Sequence, residues 1–247
     1  MIVESFVYAL SYPGTPKAFR PHLADAVGLW ARGQRQFEAW APHIARTRGL
    51  IDTMIDDVAP RRTVAVLGSG PLFDVPLEAL ARTFETVLLV DQAHLATTNR
   101  RLRRYPHVRR QWHDLSAATN PDHLGFLGRV PDLDWVISLN LLSQLAHWAP
   151  QGEARGVVDA HLDGLAVLPC PVTLVTDLDY RVFGRNGGIK EQFDLLHGRP
   201  LPPSDQSWLW EVAPLGEESG SIRRVHSVAA WLDWRKSAGA KEFGFIR

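Results

Sequence analysis

The stretch from Thr63 to Asp91, TVAVLGSGPLFDVPLEALARTFETVLLVD, constrains the fold more than any other. Thr63 to Leu67 is a short apolar run rich in β-branched residues, as expected of a strand. Gly68-Ser69-Gly70 is a turn that tolerates positive φ, and Pro76 onward has helix-forming composition. A second apolar run, Thr86 to Val90, stops at an acid, Asp91. Strand, glycine turn, helix and strand make a βαβ half. Its first turn and second strand end converge on a crevice of the kind where open α/β sheets bind nucleotides.

Phe73 separates two uses of this geometry. A dinucleotide fingerprint, G-x-G-x-x-G/A, wants a small residue there for close packing beside a pyrophosphate. A phenyl ring argues against NAD or FAD. The other use needs only a glycine turn beneath a flat nucleoside and an acid to accept from ribose hydroxyls. Gly68, Ser69, Gly70, Asp91 and the adjacent Gln92 supply that set, although a tight strand-to-helix turn with no ligand has the same local pattern.

Composition narrows the class. Lysine plus arginine and aspartate plus glutamate each total 27 in 247 residues, so no overall field recruits nucleic acid or an anionic membrane. The single cysteine, Cys170, can form no internal disulfide and no cysteine-based zinc site within one chain. No stretch approaches the roughly 20 apolar residues of a membrane span. A soluble, cytoplasmic protein is the expectation. Nine tryptophans should line the core or pocket walls and leave room for a homodimer face.

Along the chain, Ile2 to Ala9 reads as a short strand. Pro21 to Trp40 and Ile44 to Val58 read as helices separated or kinked at Pro42, a helical preface that packs beside the sheet or lies over its crevice. Two units result, a helical addition over 1–60 and a nucleotide-type domain over 61–247. In the second, Asp74 is placed to cap a helix opening at Val75 and Pro76. The arginine-rich stretch His94 to Tyr105 reads as an exposed helix. Val108 to Trp112 is the third strand, followed by His113-Asp114-Leu115. Asp134 to Leu139 is the fourth and delivers Asn140 to the sheet's carboxyl edge, with a helix-like stretch from Leu141 to Trp148 after it. Val172 to Thr176 is the fifth and ends in Asp177-Leu178-Asp179-Tyr180. A glycine- and proline-rich loop with a short helix around Ile189 to Leu196 follows, and Ser207 to Val212 with Ile222 to Ala230 has hairpin grammar.

This ordered set resembles the class I S-adenosylmethionine-dependent methyltransferases from roughly Arg61 to Trp234. The resemblance implies an α/β, Rossmann-like, seven-stranded and mostly parallel sheet with a terminal antiparallel hairpin. It implies S-adenosylmethionine as cofactor and a small-molecule or protein acceptor. Carried onto this chain, Gly68 and Gly70 let the backbone approach the cofactor, and Asp91 holds the ribose. Asp114 meets the adenine amine with Leu115 beside the ring, although an N-cap or turn aspartate reads equally well there. Asn140 sits near the methionine amino group or the acceptor. The chain departs from D-x-G-x-G-x-G in having no acid before the turn and Leu72 in the last glycine position. Its Gly68-Ser69-Gly70-Pro71 is similar to the nicotianamine synthases, which transfer an aminocarboxypropyl group from the same cofactor.

Methyl transfer requires mainly alignment and exclusion of water. A base is needed when the nucleophile carries a proton. His147, about two helical turns beyond Asn140, is the candidate base. His113, next to Asp114, is the second histidine that the reading places near the crevice and ranks behind His147. Asp177 and Tyr180, at the end of the fifth strand, are the candidate substrate-facing residues. No HxxxH or HxD cluster suggests a metal, and no G-x-S-x-G elbow suggests Ser-His-Asp hydrolysis. A non-catalytic binding protein whose crevice is filled by Leu72, Phe73 or tryptophans is the rival from another class.

Overall fold

Three helices precede the sheet: α1 (Ile2–Ser11), α2 (Leu23–Arg35) and α3 (Phe37–Asp57). Then come β1 (Thr63–Leu67), α4 (Leu77–Thr83), β2 (Thr86–Asp91), α5 (Ala96–Leu102), β3 (Val108–Trp112), β4 (Leu133–Leu139), α6 (Leu142–His147) and α7 (Ala154–Ala166). The chain continues through β5 (Val172–Gly184), β6 (Ile189–Asp194), β7 (Gln206–Ala213), β8 (Ile222–Trp231) and α8 (Trp234–Gly239). The computed structural model describes residues 2–147, 149–150 and 152–239. Trp148, expected to end the α6 stretch, and residues 240–247 of the expected second unit lie outside the described residues.

The strands run in the order β3-β2-β1-β4-β5-β8-β7, with β6 paired to β5 off this path. β1 pairs parallel with β2 and β4, β2 with β3, and β4 with β5. β8 is antiparallel to both β5 and β7. The order reverses between β1 and β4, and that switch point opens the crevice. β1 is buried at all five positions. Val64 and Val66 face one layer with Leu50, Ile51 and Met54 of α3 and Leu80 of α4. Ala65 and Leu67 face the other, with Leu142 of α6, Val158 and Leu162 of α7, and Trp234 of α8. The fold is the expected Rossmann-like sheet between helical layers, finished by antiparallel strands.

Four local expectations need correction. Ile2–Ser11 is a helix: the apolar residues at 2, 3, 6, 7 and 10 follow a helical period, and Val7 packs with Leu23, Val27, Ala93 and Leu95. The break between the next two helices falls at Gln36, and Pro42 lies inside α3. Ile189–Asp194 is a strand although Lys190, Glu191 and Gln192 are helix formers. The turn at Asn186-Gly187-Gly188, with Gly187 at φ +79, returns it onto an extension of β5 beyond Asp177 and makes the sheet eight-stranded rather than seven. Asp74 caps nothing, because α4 starts at Leu77 with Pro76 at its N-cap. No helix of the described residues is long and apolar enough to cross a membrane.

Candidate active site

The glycine turn stands where β1, β2 and β4 end. Gly68 has φ +72 and donates its N–H to the Val90 carbonyl at 3.0 Å. A Cβ there would lie 2.8 Å from the Leu139 carbonyl oxygen, so packing against β4 already demands glycine. Gly70, at φ +47, differs: the nearest atom to its Cβ position is 3.9 Å away, which leaves its open side free for a ligand. Its N–H donates to Asp91 Oδ2 at 2.8 Å, while Asp91 Oδ1 accepts from the Ala93 N–H at 3.2 Å. An ionised carboxylate has about four acceptor positions, so Asp91 retains capacity for hydroxyl donors.

Gln92 and Asp114 are joined. The Gln92 amide donates to Asp114 Oδ1 at 2.8 Å, and the same carboxylate accepts from the Ser116 N–H at 3.0 Å and the Thr119 hydroxyl at 2.5 Å. Asp114 thus organises the loop after β3. Leu115 beside it is buried in the second core layer. His113 packs on Phe126, with ring centroids 4.1 Å apart.

A second group of polar residues lies at the carboxyl ends of β4 and β5. Asn140, at φ +46, donates from Nδ2 to Asp74 Oδ2 at 2.8 Å and stands 3.2 Å from His43 Nε2. Trp208 Nε1 donates to His43 Nδ1 at 3.0 Å. The neutral imidazole therefore carries its proton on Nε2. Trp210 stacks on His43 with centroids 4.0 Å apart and planes at 9°. Burial pushes His43 down to about 4 against the attraction of Asp177. Burial also raises the Asp74 carboxyl above its ordinary value, opposed by Asn140 and Arg48.

Beyond β4, a bulge between Asp177 and Asp179 turns the Asp177 carboxylate toward β8. Asp177 Oδ2 lies 2.8 Å from His226 Nδ1. Tyr180 stacks on the same ring at 5.6 Å and donates its hydroxyl to Glu191. That bond is the leading cause raising the Tyr180 phenol above its ordinary value. Asp177 and Tyr180 each contact the His226 ring, whereas His147 lies exposed at the end of α6. Sequence reasoning missed His43, Asp74 as a site residue, and His226. The only signals were periodic. His43 shares a buried helical face with Trp40, Ile44 and Thr47, and His226 lies on one face of β8 with Arg224 and Val228, two residues to either side.

Ser69 Oγ, Asn140 Oδ1, Asp177 Oδ1, His226 Nε2 and Trp210 Nε1 are buried without a hydrogen-bond partner among the described residues. Such atoms cost stability unless something satisfies them. Ser69 and Asn140, with the open face of Gly70 and the remaining acceptor capacity of Asp91, fit a polar nucleoside cofactor with an amino acid tail. Leu72 is buried in the first core layer, and Phe73 turns out toward Gly33 and Trp40. A groove of about 710 Å³ lies elsewhere, lined in part by Arg62, Leu88, Arg109, Gln111, His113 and Phe126. Of the expected site residues only His113 reaches it. Among the described residues no group of three His, Cys, Asp or Glu could hold a metal ion.

No family model matches the chain, and no curated protein matches it. Among solved structures the chain has distant likenesses at low identity. The 1,6-didemethyltoxoflavin-N1-methyltransferase of Burkholderia thailandensis is 12% identical with a TM-score of 0.41, over 82% of this chain and 85% of that one. The N-methyltransferase NodS of Bradyrhizobium japonicum is 12% identical with a TM-score of 0.38, over 75% and 85%. The precorrin 8w decarboxylase of Methanobacterium thermoautotrophicum is 14% identical with a TM-score of 0.36, over 74% and 89%. The chain's own mostly parallel sheet with closing antiparallel strands is the architecture that the sequence resemblance implies.

Proposed function

We propose that the chain is an S-adenosylmethionine-dependent methyltransferase of the cytoplasm, acting on a small-molecule acceptor. The observation that carries this reading is the joint at the switch point, where Gly70 is bonded to Asp91 and open on its other side, and the turn continues to the half-buried Asp74, which accepts from Asn140 at the end of β4. Asp91 would take the ribose hydroxyls, Asp114 and Leu115 the adenine, and Asn140 the methionine amino group. Asp74 supplies an acid at that end, where the expected acid before the turn is missing. When bound, the cofactor supplies a methyl group on a sulfonium, whose positive charge makes the sulfur a good leaving group. The protein then has to align the acceptor and keep water out. Residues 1–60 act as a helical addition that closes one wall of the site, and 61–247 carry the cofactor.

Calorimetric titration with S-adenosylmethionine, S-adenosylhomocysteine and NAD tests this. Binding of the first two and not the third is the expected outcome. Binding of none would sink the reading in favour of a non-catalytic binding protein, the alternative that the apolar residue at Val66 favours. Transfer of an aminocarboxypropyl group from the same cofactor would be seen as a different product mass.

A further inference from the structure

β6, β5, β8 and β7 set Phe193, Tyr180, His226 and Trp210 opposite one another in register. Their rings form a row across four strands, with successive centroids 5.7, 5.6 and 6.0 Å apart. Phe193 is 43% exposed, whereas the His226 side chain is 12% exposed. The row therefore runs inward from solvent to the Asp177–His226 pair. With Nδ1–H given to Asp177, the lone pair of the neutral ring is on Nε2. Nε2, Asp177 Oδ1 and Trp210 Nε1 are buried there without hydrogen-bond partners among the described residues. A carboxylate that fixes the tautomer and balances the charge of the protonated ring is the arrangement of a general base.

We propose that this row is the acceptor subsite, that it takes a hydroxyl carried on an aromatic ring, and that His226 Nε2 removes the hydroxyl proton with Asp177 as its positioning residue. The assignment rests on the methyl-transfer reading. A thiolate or carboxylate needs no base, whereas a neutral hydroxyl does, and a flat aromatic acceptor suits a wall built from the rings of Phe193, Tyr180 and Trp210. In the step, the O–H proton passes to Nε2 and an oxygen lone pair forms the bond to the methyl carbon. The carbon–sulfur bond breaks with its pair kept by sulfur, and the imidazolium then returns its proton to solvent. The ionisable groups around His226 are Asp177 on β5, His43 on α3, Tyr180 with its partner Glu191, and Arg224, which lies 4.8 Å over the Tyr180 ring.

The test uses the whole protein with catechol as the hydroxyl probe and thiophenol as a more acidic nucleophile. S-adenosylhomocysteine should bind wild type, His226→Gln and Asp177→Asn alike. Failure to bind wild type overturns the methyl-transfer reading, and this assignment with it. In that complex, nitrogen NMR of labelled histidine should find His226 protonated on Nδ1 and shifted by catechol. A ring protonated on Nε2, or one unmoved by saturating catechol, overturns the assignment while leaving the cofactor reading intact. Catechol methylation should fall about 100-fold in His226→Gln and about 10-fold in Asp177→Asn, with KM little changed and the acid limb of the pH profile lost. Thiophenol methylation should be nearly unaffected. Equal loss with both probes, or a catechol rate that follows His147→Ala instead, also overturns it.

Discussion

Gly68 and Gly70 both take positive φ, yet they answer to different neighbours. At Gly68 an alanine meets the Leu139 carbonyl at 2.8 Å in addition to the backbone strain, whereas at Gly70 only the strain applies. Left-handed backbone costs a non-glycine residue about 1–2 kcal/mol. Urea unfolding should therefore show Gly68→Ala losing more than that and Gly70→Ala no more. S-adenosylhomocysteine binding should separate them the other way, with Gly70→Ala losing affinity while still folded. Asp91→Ala removes a charged acceptor and the anchor of the Gly70 N–H. Cofactor affinity should weaken by roughly 1.5–3 kcal/mol, the range for hydrogen bonds to charged groups. An unchanged calorimetric constant would end its ribose role.

Helices α3 and α7 each bury a histidine. His43 is pushed down to about 4 and His161 to about 3, in both cases chiefly by burial. Their unfolded value is 6.5, so the unfolded chain binds the extra protons as pH falls below that. Stability is then lost on acidification from 6.5 toward the folded values, by about 2 kcal/mol for each histidine at pH 5. Asp74 acts in the opposite sense, because its raised carboxyl favours protonation in the folded state. Denaturant midpoints at pH 7 and pH 5 should show the net loss, and His161→Gln should reduce the slope. The elements that were legible in sequence share a cause. β1, β2 and β4 are buried on both faces and read as apolar runs, and the glycine turn is a local necessity. β6 is exposed at all six positions, so no burial pattern marked it, and its pairing with β5 overrode its helix formers. His43 and His226 acquire their roles only through contacts made across the fold, with Trp208 and Asp177. No local spacing could announce them.

Across the whole molecule, the helical preface is tied to the turn between β7 and β8. Arg35 Nη2 lies 2.6 Å from Glu217, and the Gln36 amide donates to the same carboxylate at 2.7 Å. These bonds, Arg35 first, hold the Glu217 carboxyl below its ordinary value. The depressed carboxyl contributes stability above its unfolded value near 4.5, and that contribution is lost as pH falls through the lower folded value. Arg35 is half exposed, so screening limits the pair to about 1 kcal/mol or less. Glu217→Gln should cost about that much in dilute buffer and less at 1 M salt, measured by denaturant unfolding. Trp40 donates to the Val212 carbonyl, 172 positions along the chain, and Trp208 reaches back 165 positions to His43. Contacts so distant form late, because loop closure must precede them. During synthesis α3 emerges well before β7, so its apolar face and His43 wait without their partners. The interval before β7 and β8 arrive is when a nascent chain is most open to aggregation and to chaperones.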